Sequence, residues 1–160
     1  MKALSLTQPW ASLVAIGAKR METRSWSTPY RGPLAIAASK GFPRDCAELC
    51  YDEPFKQSLI VSCGTHNPAK LPLGAILCVA NLTDVLPTPR PDGRGEDPRC
   101  IVCGLAWEDE RETLLHDCPP AFSGRVPAEP ERSFGNYEPG RFMWKLENIR
   151  KLSIPVPCKG

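Results

Sequence analysis

Eight consecutive residues carry the densest chemistry in the chain: Gly17-Ala18-Lys19-Arg20-Met21-Glu22-Thr23-Arg24. Written G-x-K-x-x-E-x-R, the segment sets cations on either side of one carboxylate. Glu22 and Arg24, two apart on an extended chain, share a face and can pair. Lys19 joins them if a bulge or loop turns it to the same side. Cations grouped this way attract phosphate, and a carboxylate held among them can move a proton. As an exposed surface trio the same residues would stabilise the fold by at most about 1 kcal/mol. A second constellation, Cys100, Cys103, His116 and Cys118, offers four zinc ligands. His116 and Cys118 stand one residue apart, where two ligands converge poorly, and Ile101–Trp107 is apolar enough to be core. Core is the reading taken, with no metal and no cofactor expected and no role for Cys46, Cys50, Cys63, Cys78 and Cys158.

The trio needs elements to position it. Lys2–Leu6 reads as a short edge strand. Thr7 can cap a following helix with Pro9 in its first turn, where a missing N–H costs nothing. Trp10, Leu13, Val14 and Gly17 recur at helical spacing, and Gly17 supplies a left-handed stop. Lys19–Arg24 alternates with period two and reads as a strand; Gly32–Ser39 is the next, after a loop containing Pro29. Phe42–Ser62 reads as helix opened by Pro43 and broken at Pro54. Gly74–Leu86 is apolar on both faces, as a central strand is. Arg141–Glu147 is a further strand, and Ile154–Pro157 a separate terminal edge strand, since proline is tolerated there. Five or six strands, with helices after the first and third, fit an α+β fold built on a small, partly open barrel. The Pro, Gly and charge content of residues 87–131 marks an insertion outside that barrel.

At 160 residues with 42% hydrophobic composition, the chain suits one domain with a real core. No apolar stretch reaches the roughly 18 residues of a membrane span. The first residues show no signal-peptide core, so a cytoplasmic monomer with free thiols is expected. The net charge of +2 hides an asymmetry: residues 1–44 carry +6 and the remainder −4. That basic segment is interleaved with Trp10, Trp26 and Tyr30, a pattern that nucleic-acid surfaces share.

The motif, with Ser5-Leu6-Thr7-Gln8-Pro9-Trp10-Ala11 before it, resembles the ASCH domain, the activating-signal-cointegrator homology domain. Arg31-Gly32, Ala37-Ala38-Ser39-Lys40, Leu73-Gly74-Ala75-Ile76 and Pro139-Gly140-Arg141-Phe142-Met143-Trp144 extend the likeness. The resemblance implies a PUA-like fold, a small mixed β-barrel with helices around a cleft that binds RNA or other nucleic acid. Carried onto this chain, the cleft would be lined by Lys19, Glu22, Arg24, Ser39, Lys40 and Arg141. Some relatives remove the acetyl group from N4-acetylcytidine, with a catalytic lysine at the position of Lys19. Those enzymes have threonine where this chain has Glu22, and a distant glutamate that has no evident counterpart here.

Two functions follow. The first is binding of single-stranded RNA or a flipped base, with cations holding phosphate and aromatic rings stacking on bases. Trp26, in a loop, is the expected stacker, and Arg31 adds a cation; Trp10 and Trp144 read as core. The alternative is an enzyme, either an amidohydrolase on a modified nucleoside such as N4-acetylcytidine or a ribonuclease. A catalytic Lys19 would need its pKa lowered from about 10.4 toward 7, roughly 4 kcal/mol of bias against the cation. Glu22 could instead activate water while Lys19 and Arg24 hold the oxyanion.

Overall fold

The computed structural model describes residues 1–88 and 126–158. Five strands form one sheet: β1 (Lys2–Leu6), β2 (Met21–Arg24), β3 (Gly32–Ala38), β4 (Ala75–Pro87) and β5 (Phe142–Pro157). They lie in the order β1-β3-β4-β5-β2, with β1 parallel to β3 and every other pair antiparallel. The sheet curls into a half-barrel, and helices α1 (Trp10–Ala15), α2 (Arg44–Glu48) and α3 (Phe55–Cys63) pack around it. This is the α+β architecture that the resemblance implied. The helices follow the first and third strands, and after the third Pro43 and Pro54 each start a helix and cannot continue one.

Alternation along the strands builds the interior. Leu4 and Leu6 of β1, Leu34, Ile36 and Ala38 of β3, and Trp144 and Leu146 of β5 meet in one buried cluster. Helix α1 closes it with Ala11, Val14 and Ala15, while Leu13 on its other face joins Phe55, Leu59 and Phe134. The helix is short and is anchored from its ends. Thr7 supplies no side-chain cap; the fully buried Gln8 does the work instead. Its Oε1 accepts from the Ser12 N–H at 3.1 Å and its Nε2 donates to Pro72 O at 2.8 Å.

Two strand expectations change. β2 begins at Met21, so Lys19 and Arg20 belong to the turn that precedes it. The separate terminal strand is absent: Ile154–Pro157 is the last stretch of β5, where Val156 pairs with Ile76 and Pro157 with Ala75. Irregularities in the β4–β5 register, and Asn148 at φ 50°, carry β5 through its bends. Cys100, Cys103, His116 and Cys118, and nearly all of the insertion expected over residues 87–131, lie outside the described residues.

Candidate nucleic-acid interface

The motif forms where α1 hands the chain to β2. Gly17, at φ 78°, turns the helix end, and the N–H groups of Ala18 and Lys19 both donate to Leu13 O, at 3.0 and 3.1 Å. That turn swings the Lys19 side chain inward until it is only 1% exposed. Its Nζ donates to Met21 O at 2.6 Å and lies 3.7 Å from Glu22 Oε2. Glu22, opposite Trp144 across the β2–β5 ladder, is buried as well. Arg24 completes the trio with Nη1 3.6 Å from Glu22 Oε1, its side chain partly in solvent. The ion pair is thus buried, so the bland surface trio does not describe it.

Burial sets the electrostatics. Loss of solvent lowers the Lys19 pKa from its ordinary 10.5, opposed by the charges of Glu22 and Glu131. Loss of solvent raises Glu22 above its ordinary 4.5, opposed by Lys19, Arg24 and Arg141. The two shifts run in opposite directions and share one main cause, the burial of both charges.

An aromatic wall adjoins the trio. Trp26 meets Trp144 edge to face, centroids 4.6 Å apart and planes at 86°. Trp144 is buried and donates from Nε1 to Trp26 O at 3.3 Å, so the indole beneath braces both the ring and the backbone above it. Trp26 itself is 47% exposed, with the Arg24 guanidinium 5.8 Å from its ring centroid. Trp10 instead packs edge-on against Phe55 and donates from Nε1 to Phe134 O at 2.8 Å.

The other expected residues divide. Arg141 reaches β2, donating from Nη2 to Thr23 O at 3.4 Å. Arg31 turns to Asp84, with Nη2 3.3 Å from Oδ1, and to the carbonyls of Thr28 and Tyr30. Ser39 donates from Oγ to Gly41 O at 2.7 Å. The Lys40 stem lies over Gly74, where a Cβ would come within 2.9 Å of Lys40 Cγ. Among the described residues, none of Arg31, Ser39 and Lys40 bonds to the trio or to Trp26.

Residues far along the chain complete the surroundings without any sequence signal. The Glu131 carboxylate accepts from the backbone N–H groups of both Arg20 and Met21. The Asn136 N–H donates to Thr23 Oγ1 at 3.1 Å. The segment 131–141 is therefore tied to β2 at its start, middle and end. Tyr137, within it, is half-buried, and that burial, added to by the charges of Glu131, Glu22 and Glu129, pushes its ionisation upward. A lone tyrosine in a Gly-Asn-Tyr-Glu-Pro-Gly turn has no period to betray it.

A separate groove of about 950 Å³ opens beside Gly17, Arg20, Glu131 and Asn148, and its walls include none of Lys19, Glu22, Arg24 and Trp26. Among the described residues no group of three or more His, Cys, Asp or Glu is arranged to hold a metal ion. No described helix is long and apolar enough to cross a membrane.

The model of the ASCH domain family matches residues 4–111. Activating signal cointegrator 1 of Homo sapiens is 41% identical over 85 residues, and the Mus musculus protein of the same name 40% over 85 residues. Each match covers 52% of this chain and 14% of the relative, so the chain corresponds to a small part of those proteins. The family match spans most of the chain and includes the motif, the helix before it and the strands that flank it. On that match, together with the five-stranded half-barrel, the chain belongs to the ASCH domain family.

Proposed function

We propose that this protein binds single-stranded RNA, taking an unpaired base against Trp26 beside the Lys19–Glu22–Arg24 cluster. The observation that carries the reading is the half-exposed Trp26 ring, propped by buried Trp144 and flanked by Arg24. An aromatic face fixed in place, with a cation against it, is the arrangement on which single-stranded bases stack. Phosphate attraction comes from the basic residues of the first 44 positions, so affinity falls with salt. Fluorescence anisotropy with a mixed-sequence RNA octamer tests this. Trp26→Ala should weaken binding by about 1–3 kcal/mol, the worth of one stacked base. Glu22→Ala, assayed below its melting temperature, should keep or strengthen it, since removing a carboxylate leaves more positive potential. Unchanged affinity in Trp26→Ala refutes the reading.

A second reading has its own support in the opposed shifts of Lys19 and Glu22, which leave a buried acid and base side by side. Under it the site is an amidohydrolase acting on an acylated nucleobase such as N4-acetylcytidine. Glu22 would activate water, with Lys19 and Arg24 holding the oxyanion. Chromatography of N4-acetylcytidine after incubation separates the readings. Hydrolysis that drops 100-fold or more in both Lys19→Ala and Glu22→Ala, each shown by a thermal melt to be folded at the assay temperature, supports the enzyme; an unchanged nucleoside leaves the binding module.

A further inference from the structure

The arginines around β2 differ in what their guanidinium groups have left to give. Arg20 donates from Nε to Gly17 O at 3.4 Å, and Arg141 is tied to Thr23 O. Arg31 is spent on Asp84 and on the carbonyls of Thr28 and Tyr30. Arg24 is the exception. Among the described residues its guanidinium makes no hydrogen bond, only the 3.6 Å approach of Nη1 to Glu22 Oε1. Its side chain is 29% exposed, so the fork reaches solvent while buried Glu22 holds it from one side. The Trp26 ring, itself half-exposed, lies with its centroid 5.8 Å from Arg24 Cζ. That is near the outer limit of about 6 Å for a cation–ring contact, so the guanidinium borders the ring without being locked onto it.

We infer that Arg24 reads the base stacked on Trp26 and selects guanine, donating from its fork to O6 and N7. The inference rests on the RNA-binding reading and names the base that site prefers. A guanidinium carries only donors, set in a planar fork that matches two adjacent acceptors. Guanine presents such a pair, O6 and N7, on one edge. Adenine has an amine in place of O6, which would set donor against donor. A phosphate is the less suited partner. The Glu22 carboxylate already offsets the guanidinium charge, so a second full anion gains less here than at a lone cation, whereas neutral acceptors lose little. The same carboxylate limits the freedom that the long side chain gives up on binding.

Anisotropy with the RNA pentamers UUGUU, UUAUU and UUCUU, and with UUGUU carrying 7-deazaguanine, tests the assignment. The intact protein should bind UUGUU about tenfold or more tighter than UUAUU. The 7-deaza analogue, with C–H in place of N7, should lose most of that margin. Arg24→Lys keeps the charge and removes the fork. It should bring the two affinities together while preserving their slope against salt. A thermal melt confirms that the variant is folded. Equal affinity of the intact protein for UUGUU and UUAUU, with both weakened in Trp26→Ala, overturns the inference and leaves the stacking reading in place. A preference for UUCUU, or a 7-deaza analogue bound as well as UUGUU, overturns it too. A guanine preference that survives in Arg24→Lys overturns the role of Arg24. Binding of none of the pentamers overturns both readings.

Discussion

Glu22→Gln should be among the most costly single substitutions in the half-barrel, and its cost should depend on pH in a defined direction. The change keeps the shape of Glu22 and removes its charge. Lys19, 1% exposed, then keeps its bond to Met21 O and a more distant attraction to Glu131. Breaking a buried pair by removing one partner costs about 3–5 kcal/mol. An independent ceiling comes from titration, since Lys19 can escape by losing its proton. From 10.5 to pH 7 that costs at most about 4.8 kcal/mol, at roughly 1.36 kcal/mol per pH unit. At pH 9 the ceiling falls to about 2 kcal/mol by the same arithmetic.

The sign follows from proton counting. In the variant, Lys19 has a folded pKa below its unfolded value, so the unfolded chain binds the extra proton and stability rises with pH toward 10.5. Urea melts of wild type and Glu22→Gln at pH 7, 8 and 9 measure the gap. A midpoint drop on the order of 10 °C accompanies it in thermal scans at pH 7. Lys19→Met should cost less, because Glu22 keeps Arg24 at 3.6 Å, in contact with solvent. A gap below about 1 kcal/mol at pH 7, where exposed pairs fall, or one that stays flat to pH 9, would refute the argument that the pair is buried and mutually dependent.

Other outcomes follow from the same geometry. Glu131→Ala strips the acceptor from the Arg20 and Met21 N–H groups, which should cost about 1–3 kcal/mol. Hydrogen exchange should quicken at those two amides before the rest of the sheet. Burial pushes the Cys78 thiol up to about 12 and that of Cys50 up to about 11. Both should resist iodoacetamide at pH 8 in the folded protein and react on unfolding, as peptide mass spectrometry would read.

The sequence made some elements plain and hid others, for physical reasons. β1 spans Lys2–Leu6, as its residues indicate, and β4 follows the run that is apolar on both faces. Pro43 and Pro54 mark helix starts because a ring with fixed φ and no N–H suits a helix's first turn and not its interior. β5 was legible only to Glu147. Beyond it, Asn148 at positive φ, the register irregularities and two prolines erase the alternation by which strands are recognised. The pairing of Glu22 with Lys19 and Arg24 could be anticipated because all three are neighbours in the chain. The burial of Lys19 could not, since it depends on the turn at Gly17 that swings the side chain inward. Glu131 was invisible because its partners lie more than a hundred residues away and no spacing rule connects them.

The position of β2 at the end of the sheet also fixes a timetable. Among the described strands it has a single neighbour, β5, and Glu22 faces Trp144 across that ladder. During synthesis β1, β3 and β4 can zip together while β2 still waits for β5, its described partner. At about 5–20 residues per second, the stretch from Glu22 to Trp144 takes on the order of ten seconds to emerge. For that interval the motif is a charged, unpaired segment following a docked helix. The candidate site is therefore the last part of the sheet to be assembled, and a nascent chain stopped short of Phe142 would carry every residue of the trio without the wall that organises them.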